Sequence, residues 1–419
     1  MPEVAVLAFV AGVVLALGLF AWLALTLVQV LGSEWGWGIG VGGAAVLGAG
    51  VVLLLALVGL RWQALAYIGG LFALATFLSL ITFALVWLER KYLGRLQQRL
   101  GPTRVGPFGL LQPVADAVKL LLKEDILPAW ADKVVYWTAP LIAFVPAFMV
   151  WVTIPFSRDL VVRDLDLGLL YVVAFSVLGI TGLLVAGWGS ANKYGVLGSL
   201  RSAAQLISYE IPVVVVALAV AMLAGSLNLV EIVERQRPIY ALVQPLGLFI
   251  FLLAGLAEVG RTPFDIYHAE SEIVGGPFIE YSGAHWAAFY LAEYVNTFLV
   301  GAMTALLFLG GWKGPLLPPV VWFLLKTFGV VLLMFWFRGT FPRLRIDQLM
   351  ALGWQVLVPL SFLVLFLTGV ALFFGWPWWG LSLVSIAVVA GVAWAVHQHA
   401  HRQRPWVRLI PAQEVRSAG

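Results

Sequence analysis

Apolar residues arrive along this chain in runs of about twenty, each closed by a short polar or Gly/Pro break. A helix that crosses a hydrocarbon core needs about 20 largely apolar residues. The pattern predicts about eleven spans, near residues 4–31, 38–60, 65–88, 134–155, 168–187, 203–224, 241–257, 286–310, 318–337, 352–374 and 378–397. The expected fold class is an all-α polytopic membrane protein. The first run, Val4 to Leu31, is too long for a signal-peptide core and has no basic lead-in, so it is read as retained.

Composition narrows this further. Of the 419 residues, 62% are hydrophobic and 11% charged, against about 25% charged in a soluble domain, which excludes a soluble enzyme. Cysteine is absent, which removes disulfides, thiolate nucleophiles and cysteine-ligated iron–sulfur clusters. The five histidines, His268, His285, His397, His399 and His401, stand near or outside the ends of apolar runs, a poor arrangement for clamping haem inside a bundle. The last three, two apart, could hold a metal in an extended segment, but a frayed, solvated terminus is the better account. The G-x-G-x-x-G match at Gly38–Gly43 opens an apolar helix and follows no strand, so it reads as helix-packing glycine and not as a dinucleotide site.

The formal net charge of +4 reflects topology rather than nucleic acid. Loops after the odd-numbered spans carry eighteen Lys and Arg, eight of them in 89–133, while the opposite side carries six: Arg61, Arg158, Arg163, Arg235, Arg237 and Lys313. Lys326 falls inside a span. The positive-inside rule then places the odd loops and the C-terminus in the cytoplasm and the N-terminus outside.

Ionisable groups near hydrocarbon are costly unless paired or facing a wet cavity, and here they gather in four places. In the loop from Glu89, Arg90, Arg95, Arg99 and Arg104 are followed by Pro113, which suits a first helical turn. Val114, Ala117, Val118 and Leu121 then make one face, and Asp116, Lys119 and Lys123 the other. This predicts an amphipathic helix at the cytoplasmic membrane surface, or else only a solvated basic loop. In the second segment Arg201, Gln205 and Ser208 recur at helical spacing before Tyr209 and Glu210. Pro212 cannot donate to the Ser208 carbonyl, so Glu210 is a buried-carboxylate candidate or an acid that reaches the interface. The third holds Glu258, Asp265, Glu270, Glu272 and Glu280 against Arg261 alone. Crowded, shielded carboxylates suit a proton relay, and the alternative is a solvated acidic or docking loop. In the fourth, Tyr290, Glu293, Tyr294 and Thr297 form a polar stripe on an apolar helix, which must face protein or water.

Together these segments closely resemble the H subunit of proton-pumping NADH:quinone oxidoreductase, respiratory complex I. The resemblance runs from about Leu65 to Phe374 and rests on ERK with GPTRVG, QPVAD, NKYGVLGSLRSAAQLISYE, RTPFD, EYSG and PRLRIDQLM in that order. It implies a heel subunit in the bacterial cytoplasmic membrane that joins the membrane arm to the peripheral arm. It implies a share in the quinone chamber for Glu89, Arg90, Arg99, Arg104, Asp116, Arg261 and Asp265. It implies a proton-linked path through Glu210, Glu270, Glu272, Glu280 and Glu293. Quinone is then the substrate, FMN and iron–sulfur clusters belong to partner subunits, and this chain binds no cofactor alone. The partners implied are other complex I subunits, quinone and the lipid bilayer, with no nucleic acid. Residues 1–64 and 375–419 look like additions around a 65–374 domain. An energy-converting hydrogenase anchor shares this ancestry, but the fullness of ERK, GPTRVG and EYSG favours the quinone enzyme. A self-sufficient ion antiporter would not need these cytoplasmic motifs.

One departure matters chemically. After PFD the family usually reads Pro and then Glu, whereas this chain has Ile266, Tyr267 and His268. An imidazole, with an ordinary pKa of about 6.5, can replace the missing carboxyl in a relay. His268→Glu should then retain quinone reductase activity across pH 6 to 8 and His268→Leu should lose it. A Gln variant matching wild type throughout that range would show that the imidazole only packs.

Overall fold

The computed structural model describes residues 62–402, apart from 268 and 269. Within them the regular elements are helices, with α1 at Trp62–Leu96, α2 at Gln112–Leu122, α3 at Lys133–Met149, α4 at Gly168–Gly189, α5 at Lys193–Ala224, α6 at Leu229–Arg235 and α7 at Tyr240–Val243. There follow α8 at Pro245–Glu258, α9 at Glu270–Ile273, α10 at Gly283–Leu307, α11 at Pro319–Thr340, α12 at Ile346–Ala351, α13 at Val358–Phe373 and α14 at Trp378–Arg402. The first two expected spans, with Gly38–Gly43, lie outside the described residues, as do His268 and the side chains of Glu270 and of the terminal histidines.

Among the described residues seven helices are long and apolar enough to cross a membrane: Gly69–Leu96, Lys133–Val152, Gly168–Gly189, Lys193–Ala224, Gly283–Leu307, Pro319–Thr340 and Ile346–Phe373. The span expected at 241–257 is divided instead. Gln244 leaves helical geometry (φ −135°, ψ 64°), Pro245 opens a new helix, and α8 runs for only 14 residues, about 21 Å at 1.5 Å per residue. The span expected from 203 begins ten residues earlier at Lys193, where the Asn192 side chain caps the helix by accepting from the Tyr194 amide at 2.9 Å. Glu210 is therefore mid-helix. α12 and α13 are joined through a π-helical segment, Leu352–Leu357, into one span, and the backbone of α14 stays helical through the histidine tract to Arg402.

Packing follows membrane logic, in which small residues let backbones approach. α5 is the central member and packs against α4, α8 and α13; α3 packs against α4 and α10, and α10 against α1 and α11. Gly182 of α4 lies on the Ala143 backbone of α3, and Gly198 of α5 on the Gly276 backbone. Trp151 stacks on Phe298 with ring centroids 4.9 Å apart, and both are fully buried. Outward-facing Phe72, Trp188, Phe366 and Phe373 are exposed, as an apolar solvent permits. Lys326, the one basic residue expected inside a span, reaches out of it: its ammonium donates to the carbonyls of Leu309, Gly311 and Lys313 at 2.7, 2.9 and 2.7 Å, which satisfies a loop that no helix ladder serves.

A Cβ at Gly198 would occupy the space of the Gly276 Cα, so Gly198→Ala should destabilise the fold by about 1–3 kcal/mol. The readout is the tryptophan-fluorescence melting midpoint of the detergent-solubilised protein. An unchanged midpoint would show that α5 and the 276 turn separate freely.

Candidate functional site

The C-terminal end of α1 carries Glu89, which the sequence alone puts at a membrane boundary and the fold buries to 3% exposure. Three elements converge on its carboxylate. Arg261, in the loop after α8, donates from Nη1 to both carboxylate oxygens at 3.3 Å. Tyr294 of α10 donates its hydroxyl to Oε2 at 2.8 Å, and Arg338, at the end of α11, donates to Oε1. The Arg261 guanidinium also pairs through Nη2 with Glu293 Oε1 at 3.3 Å and lies 4.4 Å from the Tyr294 ring centroid. Tyr290 donates to the Tyr294 hydroxyl at 3.1 Å.

Arg261 is buried to 4% exposure. Burial alone would weaken its charge, but Glu89, Glu293 and Tyr294 outweigh that and hold the guanidinium well above its ordinary pKa. A sharp turn makes this placement possible. Gly260 has φ +66° and the Tyr267 ring occupies its Cβ direction, so only glycine fits there.

Beside this cluster opens a cavity of about 820 Å³, whose polar wall is Arg261, Asp265, Glu293, Arg338 and Arg343. Its lining also includes the aromatic side chains of Phe278, Trp286, Phe289 and Tyr290. A charged wall combined with aromatic side chains suits a flat molecule that carries polar groups. Asp265 Oδ2 pairs with Arg343 at 2.9 Å, while its buried Oδ1 has no hydrogen-bond partner. Glu293 lines this cavity and a second, internal one of about 70 Å³, which it shares with Glu258, Ser176, Tyr267 and Asn296. Ser176 in turn donates to Glu210 Oε1 at 2.9 Å.

The remaining expected residues separate from this group. Arg90 pairs with Asp116 at 2.6 Å, and Gln112 donates to the other Asp116 oxygen at 3.1 Å, so this pair ties α1 to α2. Arg99 and Arg104 are exposed. Glu272 is half-exposed and pairs with Arg201 at 2.6 Å. Glu280 accepts from the Asn192 amide at 2.6 Å, and its backbone carbonyl accepts from Tyr136 at 2.9 Å. Sequence reasoning passed over Arg338 and Arg343 as topological arginines, and grouped Glu258 with the loop acids without giving it a place. Arg338 could have been found as a basic residue aligned with the ERK end of α1. Ser176 carries no sequence signal, being one serine in an apolar run.

Comparison with known proteins accords with this geometry. The NADH dehydrogenase family matches residues 68–369. The H subunit of NADH-quinone oxidoreductase from Dehalococcoides mccartyi (strain CBDB1) is 53% identical over 283 residues, covering 68% of this chain and 80% of that one. The H subunit from Geobacillus kaustophilus is 50% identical over 317 residues, with 74% and 95% covered, and that from Bacillus cereus (strain B4264) is 50% identical over 297, with 70% and 89% covered. The chain belongs to the NADH dehydrogenase family, as a relative of the H subunits of NADH-quinone oxidoreductases.

Proposed function

We propose that this chain is the membrane subunit that joins the membrane and peripheral arms of a proton-pumping NADH-quinone oxidoreductase, walls part of the quinone chamber and carries the first acids of the proton path. One observation carries the reading: Arg261 stands between Glu89 and Glu293 at the edge of the large cavity, and Glu293 also lines the small cavity that leads towards Glu210. A charge change beside Arg261 is weakly screened there. It shifts the guanidinium between its two carboxylates and so alters the tendency of Glu293 to hold a proton. Glu258, Ser176 and Glu210 continue the line inward.

Within this reading Arg261, Asp265, Arg338 and Arg343 face the quinone, and Glu89 anchors Arg261. Arg90 and Asp116 hold α2 against α1. α2 lies at the membrane surface, its outward Leu121 and Leu122 exposed. Arg99, Arg104 and Glu272 are offered to the peripheral arm, and Glu270, Glu280 and His268 serve the relay. The chain crosses the membrane about eleven times, with the N-terminus outside and the C-terminus cytoplasmic, and residues 1–64 and 375–419 are added around the 65–374 domain. The electron carriers, FMN and iron–sulfur clusters, sit on partner subunits, since a chain without cysteine has no thiolate for such a cluster. The hydrogenase-anchor alternative loses ground to the H-subunit relatives and to the quinone-sized cavity.

Arg261→Ala should lower quinone reduction by about a hundredfold in the assembled complex, while NADH oxidation by ferricyanide, which draws electrons before the quinone, stays intact. Equal loss of both would indicate failed assembly and remove the chamber role. Glu210→Gln and Glu293→Gln each keep size and hydrogen bonding but cannot titrate. Turnover and ΔpH formation in vesicles should fall together, and unchanged pumping at normal complex content would leave a structural acid.

A further inference from the structure

Gln205 takes no part in the ion network, yet it is 1% exposed and sits on α5 just over one turn before Glu210. Its single amide nitrogen donates twice, to the Ala257 carbonyl at 2.7 Å and to the Phe264 carbonyl at 2.8 Å. These two carbonyls bracket the loop that carries Glu258 and Arg261. Ala257 is in the last turn of α8 and Phe264 closes the RTPFD turn; each carbonyl also accepts one backbone N–H, from Gly260 at 3.1 Å and from Ile266 at 3.0 Å, so Gln205 adds a second donor to each. Between them the loop is held from outside by the Tyr267 hydroxyl on the Val259 carbonyl at 3.3 Å and by the Leu344 amide on the Pro263 carbonyl at 3.0 Å. Gln205 alone among these contacts spans both ends of the loop, and it does so from the helix that bears Glu210.

We propose that Gln205 is a positioning residue of the chamber: its carboxamide fixes the two ends of the 257–264 loop to α5 and thereby sets where the Arg261 guanidinium stands between Glu89 and Glu293. The inference rests on the proposed quinone reductase reading, with Gln205 acting through Arg261 and not through contact with the quinone. Its shape alone does not explain the arrangement, because Gln205 Oε1 is buried with no hydrogen-bond partner. The side chain is held for its donors. The aromatic wall of the cavity stands mainly on α10, which these bonds do not reach, so quinone binding and turnover should separate.

The test uses the complete complex in membranes, with Gln205→Met, Gln205→Glu and wild type assayed for complex content, ferricyanide reduction, and the KM and kcat of reduction of a short-chain quinone. Met keeps length and apolar packing but loses both donors. Glu keeps the shape and presents a carboxylate to two carbonyl oxygens. Per assembled copy, kcat should fall about ten- to a hundredfold in Met and further in Glu, with KM little changed and ferricyanide reduction intact. Equal kcat in wild type and Met overturns the proposal. So does a Glu variant that performs like wild type, since shape would then suffice, and so does reduced complex content with normal kcat per copy, which would make Gln205 a structural brace. Absence of quinone reduction in the wild-type complex would instead refute the underlying reading.

Discussion

A guanidinium buried at the head of a membrane bundle, with a carboxylate on either side, is the constraint around which this protein is arranged. Arg261 cannot shed its proton, and an unpaired charge so deep would cost several kcal/mol. Every element that approaches it therefore brings a compensating group. α1 extends past its apolar stretch to deliver Glu89, α10 turns a stripe of Tyr290, Glu293 and Tyr294 inward, and α8 ends at Glu258 so that its following loop can enter the bundle. The end of α8 at Glu258 matters here: a helix continued past it would carry Arg261 out of reach of both acids.

That arrangement decides what the sequence could and could not disclose. The spans were legible because hydrocarbon forces every backbone group into helix and leaves long apolar runs as the record. The stripe on α10 and the buried Glu210 were legible because a polar residue inside such a run has few explanations. The division at Gln244 was not, since Pro245 inside apolar sequence is compatible with either a kinked span or a new helix. Nor was the sorting of the third cluster. Asp265, Glu258, Glu272 and Glu280 look alike along the chain, yet one faces the large cavity, one the small, one solvent and one an asparagine. Periodicity reports the face a residue occupies on its own helix and says nothing of what a distant helix brings opposite.

Arg338 shows the same limit from the other side. A basic residue at a cytoplasmic helix end satisfies the positive-inside rule without further cause, so topology and function predict the same residue. Only the approach of α11 to α1 separates Arg338, which bonds Glu89, from Arg99 and Arg104, which remain exposed. Lys326 was conspicuous for the opposite reason, and its role is the humbler one: three loop carbonyls at the far end of the same helix.

Buried ion pairs are weak evidence for stability, because apolar residues of the same volume often do as well or better. Their presence here calls for a reason other than holding the bundle together. Glu89, Glu293, Arg261 and Arg338 sum to zero when all are ionised, and the two carboxylates share one guanidinium. In such a cluster a charge that arrives in the adjacent cavity is felt at close range: at a separation of 4 Å it is worth about 4 kcal/mol at an effective dielectric constant of 20. The cheapest response is to move a proton or to redistribute the guanidinium between its partners. Either response is felt at Glu293, which borders both cavities. Under the function proposed above, such a shared and poorly screened network would link electron transfer on one side of it to proton movement on the other, with no redox centre required in this chain.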